Sequence, residues 1–362
     1  MIKKIVGLVI ILVILIGFSL PVNAAGITIK NTSVTPSFPG SIKFDISAQS
    51  STTITDVRLH YSVEASSFID VTAEGVAQFT PGTSVTTSWT WDMVRSGGLP
   101  TGTVVNYWWT VKDASGGSAS TTLTQLKFDD TRYSWQEITS GYINLFWYQG
   151  NRSFADTLMT TAQNAVVNLE TQTGATLQKS VNLYIYGSSS DLQGSMIYPQ
   201  DWTGGVTFSQ FNTIAIGIST SQLDWGKGAI AHELTHLVIH QITDNPYNGI
   251  PPWLDEGLAM YNQGPLDTSF SNALNIAISS GALLSLQTLS SPFSAYSQIS
   301  YLSYAESYSA VDYLIKTYGK DKMFQLLDAY RQGTTNNDAL MKVYGFDTQT
   351  LTTKWKTSIG AK

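Results

Sequence analysis

In three runs near the start of the chain, apolar residues fall at every second position: Ile42, Phe44, Ile46; then Val57, Leu59, Tyr61, Val63; then Val105, Tyr107, Trp109, Val111. No other feature constrains the fold as strongly, because strict alternation puts one set of side chains on a buried sheet face and the other in water. The turn-forming stretches "SFPGS", "TPGTS", "RSGGLPTG" and "DASGGSAS" separate the strand runs at the intervals of two packed sheets. Residues 26–128 are therefore expected to form an all-β sandwich. Trp89, Trp91 and Trp109 fall at core positions and Trp108 faces the other way. His60 lies on the face opposite Leu59 and Tyr61, which makes it an exposed strand residue rather than a ligand.

Around Asp129-Asp130 the pattern changes. "YINLFWYQG", "VNLYIYG" and "FNTIAIGIS" read as strands, and "SFADTLMTTAQNAVVNLETQTG" reads as a helix ending at a Gly. After Gly228 the chain is mainly helical, so residues 132–362 are expected to form an α+β domain with a mainly helical C-terminal half. A multidomain chain suits 362 residues.

The first 25 residues read differently again. Lys3 and Lys4 precede an uncharged apolar run, Ile5 to Leu20, and "PVNAA" follows. This predicts a signal peptide cleaved after Ala24 or Ala25, with an uncleaved membrane anchor as the alternative. Either one places the protein outside the cytoplasm, secreted or attached to the membrane through its N-terminus. Setting aside Lys3 and Lys4, 18 of the 20 basic residues remain against 26 acidic ones. Without a basic cluster a nucleic-acid partner is not expected. There is no cysteine, so any tightly held metal must be ligated by His, Asp or Glu.

Three of the four histidines lie in "AIAHELTHLVIHQ", residues 229–241. Ile230, Leu234, Leu237 and Val238 follow helical spacing and mark a buried stripe. His232 and His236 lie on another side, about 40° apart around the axis and about 6 Å along it, so both imidazoles can reach one ion. Glu233 falls in the same arc, close enough to act on a water at the metal without binding the metal itself. A catalytic zinc needs a third protein ligand. Metzincins supply it with a Gly and a His further along, but Ile239 and Ile242 stand at those positions here. His240 lies one helical turn too far to share an ion with His232, and is left to the cleft wall, to a place behind the ligands, or to a solvated face. Glu256 in "PPWLDEGLAMY" is the better third ligand. Pro251-Pro252 would start that helix, Trp253, Leu254, Leu258 and Tyr261 would bury it, and Gly257 would let another helix come close.

His232-Glu233-x-x-His236 followed by Trp253-Leu254-x-Glu256-Gly257 resembles the gluzincin metallopeptidases, the broad group of thermolysin and aminopeptidase N. "YAESYSAVDYL" from Tyr304 is similar to the helix that carries their catalytic tyrosine, with Ser307 where they have Gly. The closing helices look like the peptidase MA-like family, and residues 26–128 look like an immunoglobulin or fibronectin type III module.

The resemblance implies a zincin-like metallopeptidase domain over residues 132–362 holding one Zn²⁺ on His232, His236 and Glu256. Glu233 would be the general base and Tyr304 the donor to the oxyanion, with Tyr308 as the alternative. The expected partner is a peptide or protein substrate. Two departures matter. The edge-strand stretch "GGVTFSQFNTIAIG" has no acid to hold a free N-terminus, which favours an endopeptidase over an aminopeptidase. Met260 stands where thermolysin-like enzymes have the Asp that orients a ligand histidine, leaving Asp255 and Asp312 as candidates. The competing reading is a surface adhesion or binding protein with a vestigial or structural zinc site. A zinc hydrolase acting on a bond other than a peptide is a third.

Overall fold

The computed structural model describes residues 26–65, 68–201, 203–294 and 296–361. The leader expected over residues 1–25 lies outside them. The N-terminal part is rich in β-strand: β1 (Thr28–Ser37), β2 (Ser41–Val63), β3 (Ala73–Val76), β4 (Gly82–Asp92), β5 (Thr103–Asp113), β6 (Ser118–Ser120) and β7 (Thr124–Phe128). All their pairings are antiparallel.

The 23-residue β2 organises this region. Its first half pairs with β1 and β4, and its second half pairs with β5 and β3, with the register shifting between Gln49 and Asp56. Two of the alternating runs seen in the sequence are therefore one strand that changes partners midway, a place where an irregular register lets a strand bend. The inward residues of both halves meet in one core. Ile42, Phe44, Ile54, Leu59, Val105, Trp109 and Val111 are fully buried there, and Phe44 meets the Tyr107 ring edge-on at 4.9 Å.

Three aromatic or histidine positions differ in detail from expectation. Trp89 and Trp91 are only half-buried, at the margin of the core against Tyr61. His60 is largely covered rather than exposed, since its ring stacks on Trp108 at 5.0 Å and its Nδ1 lies 3.3 Å from Glu74. A cross-strand neighbour supplies that cover: Trp108 stands opposite His60 in the β2–β5 register.

A second sheet follows, built from β8 (Gln136–Ser140), β9 (Ile143–Trp147), β10 (Val181–Tyr186), β11 (Gly205–Phe208) and β12 (Thr213–Gly217). Its order is β11-β12-β10-β9-β8. The central β9, β10 and β12 are parallel, and β8 and β11 close the edges antiparallel. Helix α1 (Arg152–Thr173) makes the crossover from β9 to β10, opening on an Asn151 cap and ending at Gly174 in the left-handed conformation. A short α2 (Ser189–Gln193) precedes β11.

The remaining helices are α3 (Leu223–Thr243), α4 (Pro252–Gln263), α5 (Thr268–Ser280), α6 (Ser297–Tyr318), α7 (Lys320–Arg331), α8 (Asn336–Tyr344) and α9 (Thr348–Ser358). Alternation along β9 sends Ile143, Leu145 and Trp147 into the helical core and Phe146 to the opposite face. There it joins Tyr133, Trp135, Tyr148, Tyr184 and Tyr186.

That aromatic face meets the N-terminal region through a buried knot at Asp130. Its carboxylate accepts from the Arg132 guanidinium at 2.6 and 2.8 Å and from the Tyr186 hydroxyl at 3.1 Å, and its backbone N–H donates to Thr101 Oγ1 at 3.0 Å. Asp130 has no solvent exposure, so its charge rests on these partners. No helix among the described residues is long and apolar enough to cross a membrane.

Candidate metal centre

Helix α3 is enclosed on most sides. Ile230, Leu234, Leu237, Val238 and Ile239 are essentially fully buried in the helical core, and this locks the rotation of the helix about its axis. Glu233 and the histidines are left to face a cleft of about 870 Å³. Helix α4 starts at Pro252, where the missing N–H costs no helical hydrogen bond, and it buries Trp253, Leu254 and Leu258. Its contact with α6 depends on Gly257, because a Cβ there would sit 2.5 Å from the Ser307 carbonyl oxygen. That close approach sets the position of Glu256, the adjacent residue.

The three expected ligands converge. His232 Nε2 and His236 Nε2 are 3.1 Å apart, and Glu256 Oε2 lies 3.4 Å from the first and 3.5 Å from the second. Tetrahedral coordination at bond lengths near 2.1 Å requires donor atoms roughly 3.4 Å apart. The donor set thus has the chemistry and the spacing of a zinc site. Glu256 Oε2 is also a buried acceptor with no hydrogen-bond donor, an orphan that a cation would satisfy. Burial pushes the Glu256 carboxyl up, but the neighbouring His236 and His232 more than reverse this and hold it at about 2. Burial likewise opposes charge on His236, and Asp255 and Glu256 overcome that to raise its pKa well above the ordinary value. The pocket between rings and carboxylates favours positive charge.

Asp255 lies behind the ligands. His236 Nδ1 donates to Asp255 Oδ1 at 2.9 Å, so that in the neutral ring a metal requires, the Nε2 lone pair faces Glu256 and His232. The other oxygen, Oδ2, accepts from His240 Nε2 at 2.9 Å. His240 therefore belongs behind the ligand set. His236, His240 and Asp255 also group closely enough to hold an ion, but their contacts are ring N–H to carboxylate hydrogen bonds. Asp312 pairs with Lys316 at 2.9 Å on the far part of α6 and takes no part in the centre.

Glu233 points into the cleft, and its Oε2 accepts from the Thr207 hydroxyl of β11 at 2.7 Å. Sequence reasoning missed Thr207, since a lone threonine on a strand carries no motif. Tyr304 lines the same cleft with its ring 6.5 Å from that of His232. Burial raises its pKa, with Glu256 and Glu233 adding to the effect, so its hydroxyl stays a proton donor. Tyr308 instead packs beside Tyr261.

A family model of the Peptidase MA superfamily matches residues 161–361, more than half of the chain, and the chain belongs to that superfamily. No curated protein matches it. Among solved structures it is similar to the M1 zinc metallopeptidase of Deinococcus radiodurans, at 10% identity over 91% of this chain and 94% of that one, with a TM-score of 0.36. It is also similar to aminopeptidase A of Legionella pneumophila, solved with aspartic acid, at 10% identity over 92% of this chain and 50% of that one, with a TM-score of 0.39. OgpA of Akkermansia muciniphila matches at 10% identity over 29% of this chain and 28% of that one, with a TM-score of 0.23.

Proposed function

We propose that this chain is an exported zinc-dependent peptidase of the gluzincin type, with one ion held by His232, His236 and Glu256. In this reading residues 132–362 are the peptidase domain, and residues 26–128 are an immunoglobulin- or fibronectin type III-like sandwich. The observation that carries it is the convergence of three donor atoms within 3.1 to 3.5 Å of one another, beside the uncoordinated Glu233. When bound, zinc lowers the pKa of a water at its open position and polarises the carbonyl under attack.

The chain's own residues do the rest. Glu233, aligned by Thr207, takes the proton of the attacking water and delivers it to the departing amine nitrogen. Tyr304 donates a hydrogen bond to the oxygen of the scissile carbonyl as charge builds there. Asp255 holds His236 in the tautomer a ligand needs, and His240 holds Asp255.

An internal peptide segment suits the cleft better than a free N-terminus. β11 is an edge strand lining the cleft, where an extended chain can pair. Its residues Gly205, Val206, Thr207 and Phe208 include no carboxylate to fix an amine. Asp267, the cleft acid nearest α5, is engaged as that helix's cap by Ser269 and Phe270 N–H groups. A binding protein with a structural zinc would have no use for Glu233 in this position.

The test is incubation of the zinc-loaded mature chain with a mixed peptide library, read by mass spectrometry. Internal cuts support the proposal. Single-residue trimming overturns the endopeptidase assignment, and a zinc-loaded chain that yields no cleavage products at all sinks the peptidase reading.

A further inference from the structure

The cleft that holds the three ligands is also lined by Met196, Tyr198, Pro199 and Gln200, and this segment is attached to the N-terminal β region. Ile197 turns away from the cleft and packs against the N-terminal core. Its Cγ1 occupies the space where a Cβ on Gly98 would lie, 2.9 Å away, and Gly98 has a φ of +85° that disfavours any side chain. Tyr198 donates its hydroxyl to the Val94 carbonyl at 2.7 Å while the residue stays 68% exposed and lines the cleft. The far end is tied to α2 by the Gln193 amide, which donates to the carbonyls of Asp201 and Thr203 at 3.0 and 3.2 Å.

Trp225, 49% exposed, packs over Gly204 just beyond this segment, and Phe270 and Tyr301 line the cleft as well. No lysine or arginine lines the cleft among the described residues. Two of its four carboxylates, Asp255 and Glu256, face the ligand histidines; Thr207 binds Glu233, and Asp267 caps α5. Besides the amides and hydroxyls of Gln200, Thr203, Ser209 and Gln263, the cleft offers a substrate side chain the ring and thioether surface of Trp225, Phe270, Tyr301, Met196 and Met260.

We propose that residues 196–201 form a substrate-selecting wall held in place by the N-terminal β region, and that this wall takes an apolar or aromatic side chain of the bound peptide. The inference rests on the peptidase reading and gives the N-terminal region a part in it. Tyr198 contacts substrate; Ile197 is a positioning residue acting through it.

The test compares the full chain with its Ile197→Ala, Ile197→Val and Tyr198→Phe variants by hydrogen exchange and by peptide kinetics. In Ile197→Ala, amides of residues 196–201 should exchange about tenfold faster while those of residues 230–240 keep the parent rate. KM for peptides with Phe or Leu next to the cut should rise about tenfold with kcat changed less than about twofold, and peptides with Ala there should change little. Ile197→Val should restore parent behaviour, and Tyr198→Phe should show a smaller rise in the same direction. Unchanged exchange would overturn the attachment. Faster exchange with an unaltered peptide preference would overturn the selecting role. A zinc-loaded parent that cleaves nothing would sink the peptidase reading and the selecting role with it, while exchange would still decide whether the N-terminal region holds the wall.

Discussion

The two sides of the cleft are built in opposite ways. The metal side comes from α3 and α4, whose Ile230, Leu234, Trp253 and Leu254 are essentially fully buried and whose approach to α6 allows no side chain at Gly257. The substrate side comes from residues 196–201 and the four-residue edge strand β11, half-exposed or exposed throughout and pinned by a few hydrogen bonds. Donor atoms that must meet within a few tenths of an ångström are placed by core packing, which is stiff. The surface that chooses a substrate is placed by short peripheral tethers, which can change without disturbing the core.

The contrast breaks most sharply at Gly257. Gly257→Val forces α4 and α6 apart against a backbone oxygen, so it should cost more than about 4 kcal/mol of stability and remove zinc binding. Chemical denaturation and zinc analysis would read both losses. If the variant keeps parent stability, the rigid placement of Glu256 is wrong.

Tyr304→Phe acts on chemistry alone. It should lower kcat about 10³-fold, roughly 4 kcal/mol, with zinc content and fold intact. A Tyr308→Phe variant with the larger loss would reassign the oxyanion donor.

Glu306 extends the contrast to pH. It is fully buried on α6, with Oε1 accepting from Leu284 N–H at 3.0 Å and Oε2 without a donor, and burial raises its pKa to about 7. The unfolded chain releases this proton near the usual 4.5. Between those values the native state holds the extra proton, so stability falls as pH rises through the interval, by up to about 3 kcal/mol above pH 7. Glu306→Gln should recover that amount at pH 8 and change little at pH 4, measured as a shift in the denaturation midpoint. Equal effects at both pH values would contradict the buried charge.

The smallest effect is expected behind the ligands. Asp255→Asn should weaken zinc binding about 10- to 100-fold in a chelator competition while leaving the fold unchanged. Affinity unchanged from the parent would mean that His236 needs no orienting partner.

What was legible in the sequence follows the same division. The stripes of α3 and α4 depend on residues three and four apart, so the buried faces could be read directly, and the same spacing set His232 and His236 side by side. The pairing of Asp255 with both His236 and His240 depends on how two helices cross, and spacing along the chain gave it only as one candidate beside Asp312. Thr207 reaches Glu233 because the β11–β12 register sets it opposite Ile214, a fact that no local pattern encodes. In the N-terminal region the alternation located the buried positions of two separate runs, 42–46 and 57–63, and left the Ser/Thr-rich stretch at residues 50–53 outside both. It is instead the middle of β2, and only the change of partners reveals how one strand serves both halves of the core.

The most direct test of the central claim compares the parent with Glu233→Gln, measuring bound zinc and peptide cleavage on the same samples. The expected result is close to one zinc per chain in both, with cleavage by Glu233→Gln at least about 10³-fold slower than by the parent. A Glu233→Gln chain that cleaves at the parent rate, or a parent that folds without binding zinc at His232, His236 and Glu256, would contradict it.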